Sequence, residues 1–162
     1  MANIIIGIDP GIADTGYGLI EENKKELRLL AYGSIKTPKI DSLPRRLAKL
    51  EQELSKIINE HRPTLAVVEQ LFFCNNAKTA LIVGQARGVV LLALFNQKIK
   101  ICELTPLQIK QGLTGYGSAD KKQVQQMVKV ILKLRETPKP DDAADALAMA
   151  ICGASMIKSI NQ

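Results

Sequence analysis

The sequence predicts an α/β domain in which one mixed five-stranded sheet carries helices on both faces. Three observations lead there. The first forty residues hold three strand-like apolar runs joined by short links. From residue 42 onward, segments of helical periodicity alternate with short strand-like runs. Residues 64–68 are apolar almost without interruption, as expected for a central strand covered on both faces.

Residues 3–8 form the first strand, ending at Asp9-Pro10-Gly11. Residues 15–21, with Tyr17, Leu19 and Ile20, make a second strand, and residues 27–37 a third. Their short links imply an antiparallel meander. In residues 42–61, Leu43, Leu47, Leu50, Leu54, Ile57 and Ile58 fall at helical spacing. Ser42 suits the N-cap, Pro44 the first turn, and Pro63 ends the element. The strand at 64–68 follows and ends in Glu69. Residues 76–96 read as a long helix, apolar on more than one face, and residues 99–104 as a fifth strand. Thr105-Pro106 opens a short helix, residues 112–117 form a glycine-rich loop, and Ser118 is read as the cap of a helix running to about residue 134. A Thr137-Pro138-Lys139-Pro140 linker precedes a last helix, rich in Ala and Met, from Asp141 to about residue 158. Right-handed crossovers place the fourth strand beside the first, so their C-terminal tips are neighbours, where open α/β sheets keep their sites.

At 162 residues, 46% hydrophobic and 23% charged, the chain reads as one domain over residues 1–162 and excludes a disordered or collagen-like polypeptide. No uninterrupted apolar run, residues 89–95 included, exceeds seven residues, against roughly 18–20 for a membrane span. The first residues lack the basic region of a signal peptide, so the expected location is cytoplasmic. The net charge is +6, and residues 100–140 hold eight basic and three acidic side chains. Such a stretch fits a polyanion surface, or simply a solvated basic face. Three cysteines without C-x-x-C spacing suit reduced thiols, and the one histidine, His61, falls at a helix end. A zinc site or a histidine-based triad is thereby disfavoured, which leaves carboxylates to hold any metal.

Asp9 and Glu69 each end a strongly hydrophobic strand, where a carboxylate is costly unless paired or metal-bound. Asp142 and Asp145 stand at i and i+3 on one face of the last helix, with alanines between them. Each feature also has a plain structural reading. Asp9-Pro10-Gly11 is a turn, Glu69 a strand end, and Asp141 and Asp142 favour a helix start. That reading explains Asp145 less well, because it lies past the first turn on an apolar helix. If Asp9, Glu69, Asp142 and Asp145 converge, their mutual repulsion calls for cations, and oxygen-only ligands select Mg²⁺ or Mn²⁺. Two such ions about 3.5–4 Å apart suit an in-line phosphodiester displacement.

These residues resemble a known family. Gly7-Ile8-Asp9-Pro10-Gly11 with Thr15-Gly16-Tyr17-Gly18, Glu69-Gln70 with Asn75-Asn76, Gly84-Gln85-Ala86-Arg87-Gly88, Gly115-Tyr116-Gly117-Ser118-Ala119 and Asp142-Ala143-Ala144-Asp145-Ala146-Leu147 look like the RuvC crossover-junction endodeoxyribonucleases. The resemblance spans about residues 3–152, and its specificity lies in the ordered set. It implies a ribonuclease-H-like fold, a homodimer, and resolution of Holliday junctions by paired symmetric nicks during recombination and repair. It further implies Mg²⁺, with Mn²⁺ as a substitute and two ions per site, and cooperation with the RuvA–RuvB branch-migration complex. By position, Asp9, Glu69, Asp142 and Asp145 match the catalytic metal ligands, although Asp141 competes with Asp142. Lys110 and Lys121 match basic residues near the scissile DNA, and Lys121 falls in a first helical turn whose N–H groups can hold phosphate. Phe72, with Phe73 as its rival, matches an aromatic that stacks on an unpaired base. The helix at 76–96 is the expected dimer seam, or else a buried central helix.

Actin-like sugar kinases and chaperone ATPases also use a Gly-Ile-Asp-x-Gly hairpin. They need two domains around a cleft and have no use for Asp142-x-x-Asp145 on a final helix. A non-catalytic DNA-binding module would predict a broken acid set, whereas all four acids are present.

Overall fold

The computed structural model describes residues 2–24, 26–70 and 77–160. Three strands come first: β1 (Asn3–Asp9), β2 (Asp14–Asn23) and β3 (Glu26–Lys36). Helix α1 (Leu43–His61), strand β4 (Leu65–Glu69), helix α2 (Ala77–Asn96) and strand β5 (Lys100–Leu104) alternate after them. Helices α3 (Pro106–Thr114), α4 (Lys121–Ile131) and α5 (Asp141–Ile160) complete the order. The sheet runs β3-β2-β1-β4-β5, antiparallel through the meander and parallel from β1 to β5. The expected five-stranded mixed sheet with helices on both faces is what forms.

Two cores flank it. One joins Ile6, Ile8, Leu19, Ala66 and Val68 to α1 and α2; the other joins Ile5, Ile20, Leu65 and Val67 to α3, α4 and α5. Side chains alternate across a strand, so Asp9 continues the series of Ile5 and Gly7, and Glu69 that of Leu65 and Val67. Both acids therefore belong to the face that α5 covers.

Helix α5 lies almost on the sheet because its inner face is alanine and the strands beneath it carry glycine. A Cβ at Gly7 would meet the backbone oxygen of Ala146, and one at Gly16 would meet that of Asp142. Ala143, Ala144, Ala146 and Ala150 are buried at this seam. The close approach carries Asp142 and Asp145 over the strand tips.

One local expectation is corrected and another is met. Asp120, not Ser118, is the N-cap of α4, in a reciprocal capping box with Gln123. Asp120 is the better cap because Gln123, three residues on, returns the bond to its backbone, which Lys121 cannot do for Ser118. Ser42 is the N-cap of α1 as expected, although its side chain makes no cap bond.

Helix α2 buries Ala86, Val90, Ala93 and Leu94 but leaves Leu81, Leu92 and Phe95 exposed. Its stretch Thr79–Asn96 has mean hydropathy 1.5 and is long and apolar enough to cross a membrane. Counting only uninterrupted apolar runs missed this, because Gly84, Gln85, Arg87 and Gly88 divide the helix without making it polar.

Candidate active site

The loop after β1 is tied down locally. Buried Thr15 donates its hydroxyl to the Gly11 carbonyl (2.5 Å) and accepts from the Gly11 N–H (3.3 Å). Thr37 donates through its backbone N–H to the Ala13 carbonyl (3.1 Å) and through its hydroxyl to that of Ile12, while Arg46 Nε donates to the same hydroxyl (2.9 Å). The tip of β1, and Asp9 with it, is held by these bonds.

Asp9, Asp142 and Asp145 each offer a carboxylate oxygen, and these oxygens lie within 4.8 Å of one another. Glu69 stands outside that tight group. It joins Asp9, Asp145, Lys110 and Lys121 in lining a cleft of about 220 Å³. Asp141 points its carboxylate elsewhere: it accepts from Gln125 Nε2 (3.2 Å) and pairs with Lys121 (3.3 Å). The geometry thus places Asp142, rather than Asp141, beside the other acids. Phe72 and Phe73 lie outside the described residues.

The crowding is electrostatically expensive. Burial first, then the charges of Glu69, Asp145 and Asp142, push the Asp9 carboxyl from 3.8 up to about 7, against a weaker opposing pull from Lys121. Burial and Asp145 raise Glu69. Burial, Asp14 and Asp145 raise Asp142. Lys121 Nζ lies 3.1 Å from Asp145. Burial works against its charge, but the carboxylates of Asp145 and Asp141 outweigh that and hold its pKa above the usual lysine value. Several carboxylates held together on one face, three of them with protons bound too tightly, form a donor set suited to a hard cation with oxygen ligands.

Asp9 also makes a measurable statement about folding. Its unfolded carboxyl loses its proton near 3.8 and its folded one near 7, so the folded state binds more protons in between. Stability of metal-free protein therefore falls as pH rises through that window and levels off above it. Asp9→Asn removes the effect. In EDTA the variant is expected to outstrip the wild type by a margin that widens from pH 4 to 7, to at most about 4 kcal/mol. Denaturation midpoints at four pH values measure the margin, and a constant gap would remove Asp9 from the strained cluster.

The phosphate-holding role expected for the first turn of α4 is reduced by its own cap, because Asp120 Oδ1 already accepts the Gln123 N–H (2.8 Å). The Lys121 ammonium is itself engaged by Asp141 and Asp145. Sequence reasoning also passed over Asp14. Its Oδ1 is buried without a hydrogen-bond partner, and its charge acts on Asp142. Its place at the start of β2, across the turn from Asp9, was the available signal.

The family model described as "Crossover junction endodeoxyribonuclease RuvC" matches residues 5–153. The chain is 54% identical over 151 residues to a protein of that name from Alkaliphilus oremlandii, covering 93% of this chain and 92% of that one. It is also 54% identical over 149 residues to one from Heliobacterium modesticaldum, covering 92% of each. Among solved structures, that of Thermus thermophilus RuvC in complex with Holliday junction substrate superposes with TM-score 0.88 at 32% identity, over 96% of each chain. The yeast mitochondrial Holliday junction resolvase Ydc2 shares the fold, with TM-score 0.65 at 16% identity, over 96% of this chain and 82% of that one.

Proposed function

The chain belongs to the family of RuvC crossover junction endodeoxyribonucleases, and from that premise we propose that it is a Holliday junction resolvase, nicking four-way DNA junctions symmetrically by metal-assisted phosphodiester hydrolysis. The observation that carries this reading is the meeting of Asp9, Asp142 and Asp145 carboxylates above the strand tips, with Glu69 in the adjoining cleft.

Asp9, Asp142, Asp145 and Glu69 would hold Mg²⁺, or Mn²⁺ in its place, with two ions per site as the proposed complement. A divalent cation bound there supplies Lewis-acid polarisation of the scissile phosphate and a water acidic enough to attack at neutral pH. The protein's own part is positional. Rigid strand ends fix Asp9 and Glu69, and α5 fixes Asp142 and Asp145, so little reorganisation is needed as charge develops. Lys121, half exposed and held by Asp145 and Asp141, exchanges those partners for a DNA phosphate. Lys110, on the cleft wall, binds the neighbouring backbone. Phe72 stacks on an unpaired base near the crossover.

Two copies suit a two-fold substrate. Leu81, Leu92 and Phe95 are exposed on one face of α2 and form the seam of a homodimer. Cytoplasmic placement and cooperation with the RuvA–RuvB complex belong to the same reading.

The test is incubation with a synthetic four-way junction, a linear duplex and an RNA–DNA hybrid, with and without Mg²⁺. Paired nicks confined to the junction and dependent on Mg²⁺ are expected. ATP hydrolysis by the free protein would favour a phosphotransferase of the same fold. Lys121→Ala is expected to weaken junction binding and reduce the log–log salt slope by about one; an unchanged slope would take Lys121 off the DNA path.

A further inference from the structure

We propose that Arg87 is the positioning residue for Glu69, fastening the strand end that aims this carboxylate into the cleft. The proposal rests on the reading of Glu69 as a cation-holding acid.

Glu69 needs such a fastening. The β1–β4 register ends at Ile8↔Val68, one residue short of it, and β1 runs on into Pro10, which has no N–H to offer. On the other side, β4 remains paired through Glu69↔Leu104, and the Gln70 N–H donates to the Leu104 carbonyl (2.8 Å). One edge of the tip is therefore held by β5, and the other has lost its strand partner.

Arg87 supplies the missing hold. It projects from α2, and its Nε donates to the Glu69 carbonyl (3.1 Å). The same guanidinium pairs through Nη2 with Glu103 on β5. One rigid fork thus joins the C-terminal ends of β4 and β5 to the helix above them. Its side chain is only 16% exposed, against 42% for Glu103, so water competes least for the bond to the Glu69 carbonyl. Arg87 bonds the Glu69 backbone, while the Glu69 carboxylate lies on the opposite face, in the cleft with Asp9 and Asp145. A fixed backbone limits how far this carboxylate can retreat from the acids it faces. Lysine cannot replace this fork, since an ammonium has no second, rigidly spaced donor.

The experiment measures Mn²⁺ binding to DNA-free protein by calorimetry, alongside nicking, for Arg87→Met, Glu69→Gln and the double variant. Arg87→Met is expected to weaken Mn²⁺ binding roughly 10-fold, within the 10–100-fold range of residues that orient metal ligands. Junction affinity in EDTA should be unchanged. The double variant should bind Mn²⁺ no worse than Glu69→Gln alone, because Arg87 acts only through Glu69. A merely structural role would instead add its loss to that of Glu69→Gln. Arg87→Lys, which keeps the charge beside Glu103, should behave like Arg87→Met, and it carries the same comparison if the methionine variant does not fold. Weakened binding in Glu69→Gln with normal binding in both Arg87 variants, or losses that multiply in the double variant, overturns the proposal alone. Normal Mn²⁺ binding in Glu69→Gln overturns the reading of Glu69, and this proposal with it.

Discussion

Asp9→Asn is expected to reduce junction nicking at least about 100-fold while leaving junction binding in EDTA within a factor of about two. Residues that merely orient metal ligands are worth 10–100-fold, and Asp9 is placed to be a ligand itself. Its oxygen lies within 4.8 Å of those of both Asp142 and Asp145, so its loss opens the centre of the cluster. Binding should survive because DNA backbone is anionic and these carboxylates repel it. Removing one negative charge helps association, if anything. The variant should also be more stable without metal, since the carboxyl that burial and its neighbours push to about 7 is no longer there to be ionised. Loss of activity with a gain in stability is the mark of a site that stores electrostatic strain for use. Nicking and denaturation measured on one preparation check both halves, and a variant that nicks at the wild-type rate would remove Asp9 from the site.

Gly16→Ala is expected to cost about 3 kcal/mol or more of stability and most of the nicking activity of the protein that remains folded. Overpacked cores lose roughly 1–3 kcal/mol when side chains can give way. Here the added methyl meets the backbone oxygen of Asp142, which moves only if α5 moves. Lifting the start of α5 also carries Asp142 away from Asp9. The two losses therefore share one cause and should appear together. Chemical denaturation and nicking normalised to folded protein test the pair, and normal values of both would mean that α5 rides higher on the sheet.

Much of this arrangement is legible from spacing. The right-handed crossover makes the tips of β1 and β4, with Asp9 and Glu69, neighbours, and the i, i+3 spacing of Asp142 and Asp145 puts both on one side of α5. The alanines between them announce a close approach. What spacing leaves open is decided by tertiary contact. Asp141 and Asp142 are adjacent at a helix start, and only the folded structure shows Asp142 joining Asp9 and Asp145 while Asp141 bonds Gln125 and Lys121. Ser118 and Asp120 are both good caps by type, and the reciprocal bond with Gln123 selects Asp120. Asp14 and Arg87 carry no pattern of their own. Their roles arise because a turn and a helix bring them to strand ends far away in the chain. The apolar breadth of α2 is visible in its composition, whereas its exposed face is a fact of packing.

A divalent cation held by these carboxylates has a definite position above the strand tips. Crystals soaked in Mn²⁺ and measured for anomalous scattering locate it without reference to activity. The expected result is a peak between the carboxylates of Asp9, Asp142 and Asp145, lost in crystals of Asp145→Asn, with Lys121 turned away from Asp145. Anomalous density elsewhere, with the Asp9 cluster empty and Lys121 still paired to Asp145, would contradict it.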